Sequence, residues 1–135
     1  MGNLSAFLHP AVPAAEKEVF VSDRFRDEKG EPVPFKIKAL TQEENDAISR
    51  QCRRTKKVNG QPVEYLDQAE YSRRIVLAGT VEPNFAAKEL CDHFQVLDPA
   101  QVPGKMLLAG EFTRLLKAIM ELSGFGGDLE EEAKN

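Results

Sequence analysis

The chain has 135 residues, with 41% hydrophobic side chains, 18 basic against 22 acidic groups and a net charge of -4. That length suits one compact domain, and its longest apolar runs, such as Ile75-Val76-Leu77-Ala78, fall far short of the ~20 residues that span a bilayer. Residues 1–60 carry 11 basic and 9 acidic side chains, residues 61–135 carry 7 and 13, and this acidic balance weighs against a protein that coats nucleic acid.

Residues 1–15 hold Pro10, Pro13 and several alanines, and are expected to form a flexible N-terminal arm. Within the arm, Leu4, Phe7 and Leu8 have helical spacing. It reads as a short helix that docks on a partner or on its own domain. Residues 17–25 then alternate Val19, Val21 and Phe25 against Phe20, Ser22 and Arg24. Residues 33–40 alternate Val33, Phe35, Ile37 and Ala39 against Lys36 and Lys38. Period-two alternation marks half-buried strands. The polar connection from Asp27 to Pro32 joins them as an antiparallel hairpin.

Thr41-Gln-Glu-Glu44 is a capping box: the hydroxyl accepts the amide of the third helical residue, whose carboxylate reaches back. It starts a helix expected to run to about residue 54, with Ala47, Ile48 and Cys52 as its apolar stripe. Asn59-Gly60 is a tight-turn signal, so 55–65 reads as an exposed loop or short ribbon. Asp67 and Glu70 repeat the cap, with Leu66 and Tyr71 placed as a hydrophobic staple. The helix that follows ends in the 75–78 run, placed centrally in the core. Pro83 breaks it, and Asn84 is expected to cap a third helix bearing Ala87, Leu90, Cys91 and Phe94. Asp98-Pro99 opens a short turn that Pro103-Gly104 should stop. A last helix, about 110–123, places Phe112, Leu115, Leu116, Ile119 and Leu122 on one stripe, with Gly124 closing it. Residues 126–135 form an acidic, Gly-rich tail expected to be disordered. The predicted fold is α+β: an N-terminal antiparallel β-hairpin followed by three to four packed α-helices, within one domain at 16–125.

Chemistry-bearing motifs are sparse. Cys91 and His93 make a Cys-x-His pair, but only Cys52 and the remote His9 remain to complete four metal ligands. On a helix, positions i and i+2 point about 200° apart, so Cys91 and His93 do not form a nucleophile–base pair. Nucleophile elbows, phosphate loops and zinc-protease patterns are missing. The reading is therefore of no enzyme, with no catalytic residues, no metal and no cofactor. Two cysteines are too few for a disulfide scaffold and are expected to be reduced. The densest charge is Arg50, Arg53, Arg54, Lys56 and Lys57. It reads first as a solvated helix end, where cations are favoured by the helix dipole. A protein partner comes next, and nucleic acid after that, because Tyr65 is the nearest aromatic and offers no stacking platform.

Several collinear stretches carry a family resemblance. They are Leu4-Ser-Ala-Phe-Leu8, Glu18-Val-Phe-Val-Ser-Asp-Arg-Phe25, Lys29 through Asn45, Cys52-Arg-Arg-Thr-Lys-Lys57, Met106 through Leu116, and Glu121-Leu-Ser-Gly-Phe125. Together they resemble the XkdN-like phage tail assembly chaperones over about residues 4–125. The resemblance implies a phage or prophage protein working in the host cytoplasm during virion morphogenesis. It would bind the tail tape measure protein and keep it soluble, with tail tube subunits as a further partner. Many families of this kind also make a longer product by a translational frameshift near the C-terminus. Candidate protein-binding residues are Phe7 and Leu8 in the arm and Arg53, Arg54, Lys56 and Lys57 in the cluster. The competing expectations are a structural tail component retained in the virion and a small prophage regulator that binds nucleic acid. Oligomeric state is not legible in the sequence.

Overall fold

Alternation in Phe35-Lys-Ile-Lys38 makes the strand on which the molecule is built. In the computed structural model, which describes residues 2–10 and 16–125, that strand (β2, Phe35–Lys38) lies at the centre of a three-stranded antiparallel sheet. β1 (Glu16–Val19) pairs along one edge, from Glu16 opposite Lys38 to Val19 opposite Phe35. β5 (Thr80–Glu82) pairs along the other, with a register shift at Lys36/Ile37. Phe35 and Ile37 point into the core while Lys36 and Lys38 stay half-exposed, as strand alternation requires.

The helices close over the buried face of the sheet. α2 (Gln42–Gln51) begins at the Thr41 capping box, with both reciprocal hydrogen bonds formed. α3 (Gln68–Gly79) begins at Asp67, whose carboxylate accepts the Glu70 amide at 3.1 Å. Such caps stabilise a helix by about 1 kcal/mol each. α6 (Ala109–Leu122) presents Leu115 and Ile119, both fully buried, to α3 and β2. It ends in a Schellman motif: the Phe125 amide donates to Met120 and the Gly124 amide to Glu121, with Gly124 at φ 96°, where glycine carries no Cβ penalty. The Ser123 hydroxyl accepts the Leu40 amide at 2.9 Å and so pins that end of α6 to the exit of β2. The core joins Val21, Phe35, Ile37, Ile48, Cys52, Ile75, Val76, Phe85, Val102, Leu115 and Ile119. The α+β class, the N-terminal antiparallel strands and the packed helices agree with the sequence reading, and so do the starts of α2, α3 and α6.

Several elements differ from expectation. The helix expected to reach residue 54 ends at Gln51. The Cys52 carbonyl instead accepts the Asp67 amide at 2.8 Å, and β3 (Arg53–Val58) and β4 (Gln61–Leu66) form a two-stranded ribbon. The apolar stripe of α2 is consequently carried by Ile48, with Cys52 as its C-terminal cap residue. β5 had no place in the sequence reading, because three residues hold too little periodicity to register. Asn84 does not cap α4 (Lys88–Phe94) directly: its side chain accepts the Ala86 amide, and Ala87 occupies the cap position without a side-chain bond. Pro103 and Gly104 do not stop a turn. They lie inside α5 (Val102–Met106), which follows directly on a 3-10 turn at Pro99–Gln101. Proline is tolerated there because the first-turn amides have no intrahelical partner.

The N-terminal hairpin is also interrupted. Its outer end re-forms around Asp27–Gly30, where the Val33 amide donates to Phe25 at 2.7 Å and the Asp27 carboxylate accepts the Lys29 and Glu31 amides. Between Val19 and Phe25 the chain leaves the ladder and crosses to α6. Val21 is buried there, while Val33, expected to face inward, is exposed.

Candidate partner-binding surfaces

The first surface is the arm. α1 (Leu4–Leu8) buries no residue, and Leu4, Phe7 and Leu8 are 67%, 80% and 63% exposed. Their i, i+3, i+4 spacing puts all three on one stripe. Residues 11–15, which join the arm to β1, lie outside the described residues, as does the acidic tail at 126–135.

The ribbon is the second. Asn59 (φ 53°) and Gly60 (φ 80°) both adopt positive φ, which is the signature of the two-residue type I′ turn favoured by right-handed strand twist. Register runs from Val58 opposite Gln61 to Arg53 opposite Leu66. All six residues of β3 are exposed, and only Leu66 at the base of β4 is half-buried. The four cations Arg53, Arg54, Lys56 and Lys57 are therefore strand residues rather than a helix end, and a helix dipole does not explain them. Pleating divides them. Arg54 and Lys56 share one face with Val58, Val63 and Tyr65, while Arg53 and Lys57 share the other with Glu64. Lys56 Nζ sits 5.0 Å from the Tyr65 ring centroid, a cation–π contact worth about 0.5–1 kcal/mol at an exposed site. Arg53 lies 3.6 Å from Glu64, and Arg54 donates to the Gln51 and Arg53 carbonyls.

A third feature escaped the sequence reading. The crossing at 20–24 and the start of α6 border an open groove of about 590 Å³, lined by Phe20, Pro32, Leu108 and Arg114 among others. Its floor is Glu111, only 2% exposed. Arg24 grips that carboxylate through two parallel bonds, Nε–Oε2 at 2.8 Å and Nη2–Oε1 at 2.6 Å. The Leu108 amide donates to it at 2.8 Å, forming the reach-back half of a capping box at the α6 N-terminus. Arg24 holds the Glu111 carboxyl at a pKa of about 2, helped by Ser22 and the Leu108 amide against the opposing effect of burial. Arg114 completes the crossing by donating to the Val21 carbonyl at 3.0 Å. The sequence signal was weak: Glu111 follows Leu108 at the capping-box spacing, but its partner lies 87 residues away.

Other polar groups serve packing. Arg74 bridges Glu70 at 2.8 Å and Asp98 at 2.7 Å, tying α3 to the 3-10 turn. The Cys52 thiol is fully buried, and burial raises its pKa. The Cys91 thiol faces the Phe85 carbonyl at 3.4 Å. Among the described residues no group of three or more His, Cys, Asp or Glu is placed to hold a metal, and no helix is long and apolar enough to cross a membrane. The arm and the ribbon thus remain the exposed surfaces that carry Phe7 and Leu8 on one side and Arg53, Arg54, Lys56 and Lys57 on the other.

Comparison with known proteins places this architecture. The chain is 40% identical over 129 residues to protein YqbN of Bacillus subtilis (strain 168), covering 92% of this chain and 87% of that one. It is 36% identical over 129 residues to protein XkdN of the phage-like element PBSX of the same bacterium, with the same coverage. The crystal structure of YqbN superposes with a TM-score of 0.77 at 32% identity, covering 93% of this chain and 99% of the other. The family model of the phage XkdN-like tail assembly chaperone protein matches residues 4–134, and with nearly the whole chain accounted for, this protein belongs to that family.

Proposed function

We propose that this protein binds the tail tape measure protein in the host cytoplasm and keeps it soluble until tail tube subunits polymerise around it. The observation that carries this reading is membership of a tail assembly chaperone family over residues 4–134. A tape measure chain is a long helical protein whose apolar stripes associate when left uncovered. Two surfaces support reversible cover. The apolar stripe of Leu4, Phe7 and Leu8 has no cover among the described residues, and the ribbon adds positive charge that steers association with an acidic partner. The chain acts by binding rather than by catalysis, and tube subunits are its second partner.

The test is co-expression with the tape measure protein of the same phage. The soluble fraction of the tape measure protein rises with the intact chain, and the two proteins are captured together after nuclease treatment and in high salt. Purified tails then lack the chain. Finding it in finished tails at fixed stoichiometry, with no effect on tape measure solubility, replaces this reading with that of a structural tail component.

A further inference from the structure

The ribbon has two edges, and they are not equivalent. A two-residue turn makes its flanking pair, Val58 and Gln61, a hydrogen-bonded pair. Such pairs alternate with open ones along an antiparallel ladder. Lys56/Val63 and Arg54/Tyr65 are therefore bonded inward, whereas Lys57/Pro62, Thr55/Glu64 and Arg53/Leu66 turn their backbone groups outward. On the β4 edge the outward position nearest the turn is Pro62, which has no N–H to donate. On the β3 edge, the N–H and C=O of Thr55 and Lys57 point outward and meet no partner among the described residues. The Arg53 carbonyl is already taken by the Arg54 guanidinium at 3.1 Å.

An exposed edge is an invitation to another strand, and lysines on it normally guard against self-pairing. Here the guard is selective by charge. A second copy of β3 would set four cations against four. An acidic strand would meet Arg54 and Lys56 on one face and Lys57 on the other, with Glu64 as the one carboxylate of the ribbon to repel it. Val58, Val63 and Tyr65, at 43%, 39% and 39% exposure, add an apolar strip beside Arg54 and Lys56. We infer, resting on the chaperone reading above, that the Thr55–Lys57 edge of β3 takes an extended acidic segment of the tail partner by strand addition. Backbone bonds at Thr55 and Lys57 supply the register, and the acidic side chains supply the selectivity.

The probe is a blocked eight-residue peptide of alternating Glu and Val, titrated into the full-length chain, with a Lys/Val peptide as the control. Expected results are saturable binding that weakens with salt, at least tenfold preference over the control, and slowed hydrogen exchange at the Thr55 and Lys57 amides. In the K56E/K57E variant the preference reverses. Four results overturn the inference: equal binding of both peptides, unchanged exchange at those two amides, loss of binding without reversal in a variant whose melting curve matches the parent, or binding seen only after residues 126–135 are deleted, which would make the chain's own acidic tail the occupant. Tape measure capture that survives K56E/K57E at full strength also removes the edge from the mechanism and leaves the chaperone reading intact. Edge protection by the peptide with no tape measure capture by the intact chain overturns the chaperone reading alone.

Discussion

Gly79 at the end of α3 lies directly against Ile119 of α6: a Cβ built on Gly79 would fall 2.5 Å from Ile119 Cγ2 and 3.0 Å from Cδ1. The missing side chain sets how closely the two helices approach. Ile119 is fully buried and closes the space from the other side. Gly79→Ala gains up to about 1 kcal/mol of helix propensity but overpacks a filled site, which costs about 1–3 kcal/mol. The net expectation is destabilisation of about 1–2 kcal/mol in urea melts. Combining it with Ile119→Val should cost less than the two single changes added together, because the pair shares one volume. Strict additivity would show that the helices are not held apart by this contact.

Acid stability should report Glu111. Its carboxyl is held at about 2 in the folded protein, against an ordinary 4.5 for a glutamate in the unfolded chain. A depressed folded pKa contributes stability that is fully present above the unfolded value and is lost as pH falls from about 4.5 toward 2. The unfolding midpoint in denaturant should drop across that window. Glu111→Gln should lower stability at pH 7 and flatten the drop, since the buried carboxylate that Arg24 grips loses its charge. A variant as acid-sensitive as the parent would assign the acid transition to other carboxylates.

Gln95 closes α4 at φ 57° and ψ 49°. Its amide and that of Val96 donate back into the last turn, and the side chain is exposed. A non-glycine residue there carries left-handed strain. Gln95→Gly should raise stability by about 0.5–1 kcal/mol by thermal melting. An unchanged or lower melting temperature would mean that Gln95 contributes a contact beyond its backbone.

The thiols should differ in reactivity. Cys52 is fully buried with a raised pKa, and the thiolate is the reactive form. A colorimetric disulfide reagent should leave Cys52 unmodified in the native protein and titrate it rapidly once the chain is unfolded in guanidinium. Cys91, only partly buried, should react at an intermediate rate. Native modification of Cys52 would reveal opening at the base of the ribbon.

Charge reversal at Arg54 and Lys56 should spare the fold and act mainly on binding, because both side chains are exposed and β3 packs chiefly against β4. Melting curves should shift by about 1 kcal/mol, chiefly through loss of the Lys56–Tyr65 contact, while capture of the tail partner falls and loses its salt dependence. Equal capture by parent and variant would move the binding surface to the arm.

Local chemistry determined much of this fold from sequence alone. Thr41 with Glu44, and Asp67 with Glu70, start helices where they stand because the cap partners are three residues apart. Alternation fixed the buried face at Phe35 and Ile37, and Gly124 closed α6 through a backbone angle that glycine adopts freely. The basic cluster was likewise legible as an exposed group, whereas the exposure of Phe7 and Leu8 was decided only by the fold. Only the tertiary structure decided what depends on distant partners. β5 is a strand because β2 offers it an edge. The hairpin is interrupted because Arg24 finds Glu111 87 residues away. Arg53–Lys57 became a strand with a free edge because β4, beyond the Asn59-Gly60 turn, satisfies its inner hydrogen bonds. Helix caps and pleats are interactions within a few residues, whereas sheet edges, buried ion pairs and helix spacing are settled by whatever the folded chain brings alongside.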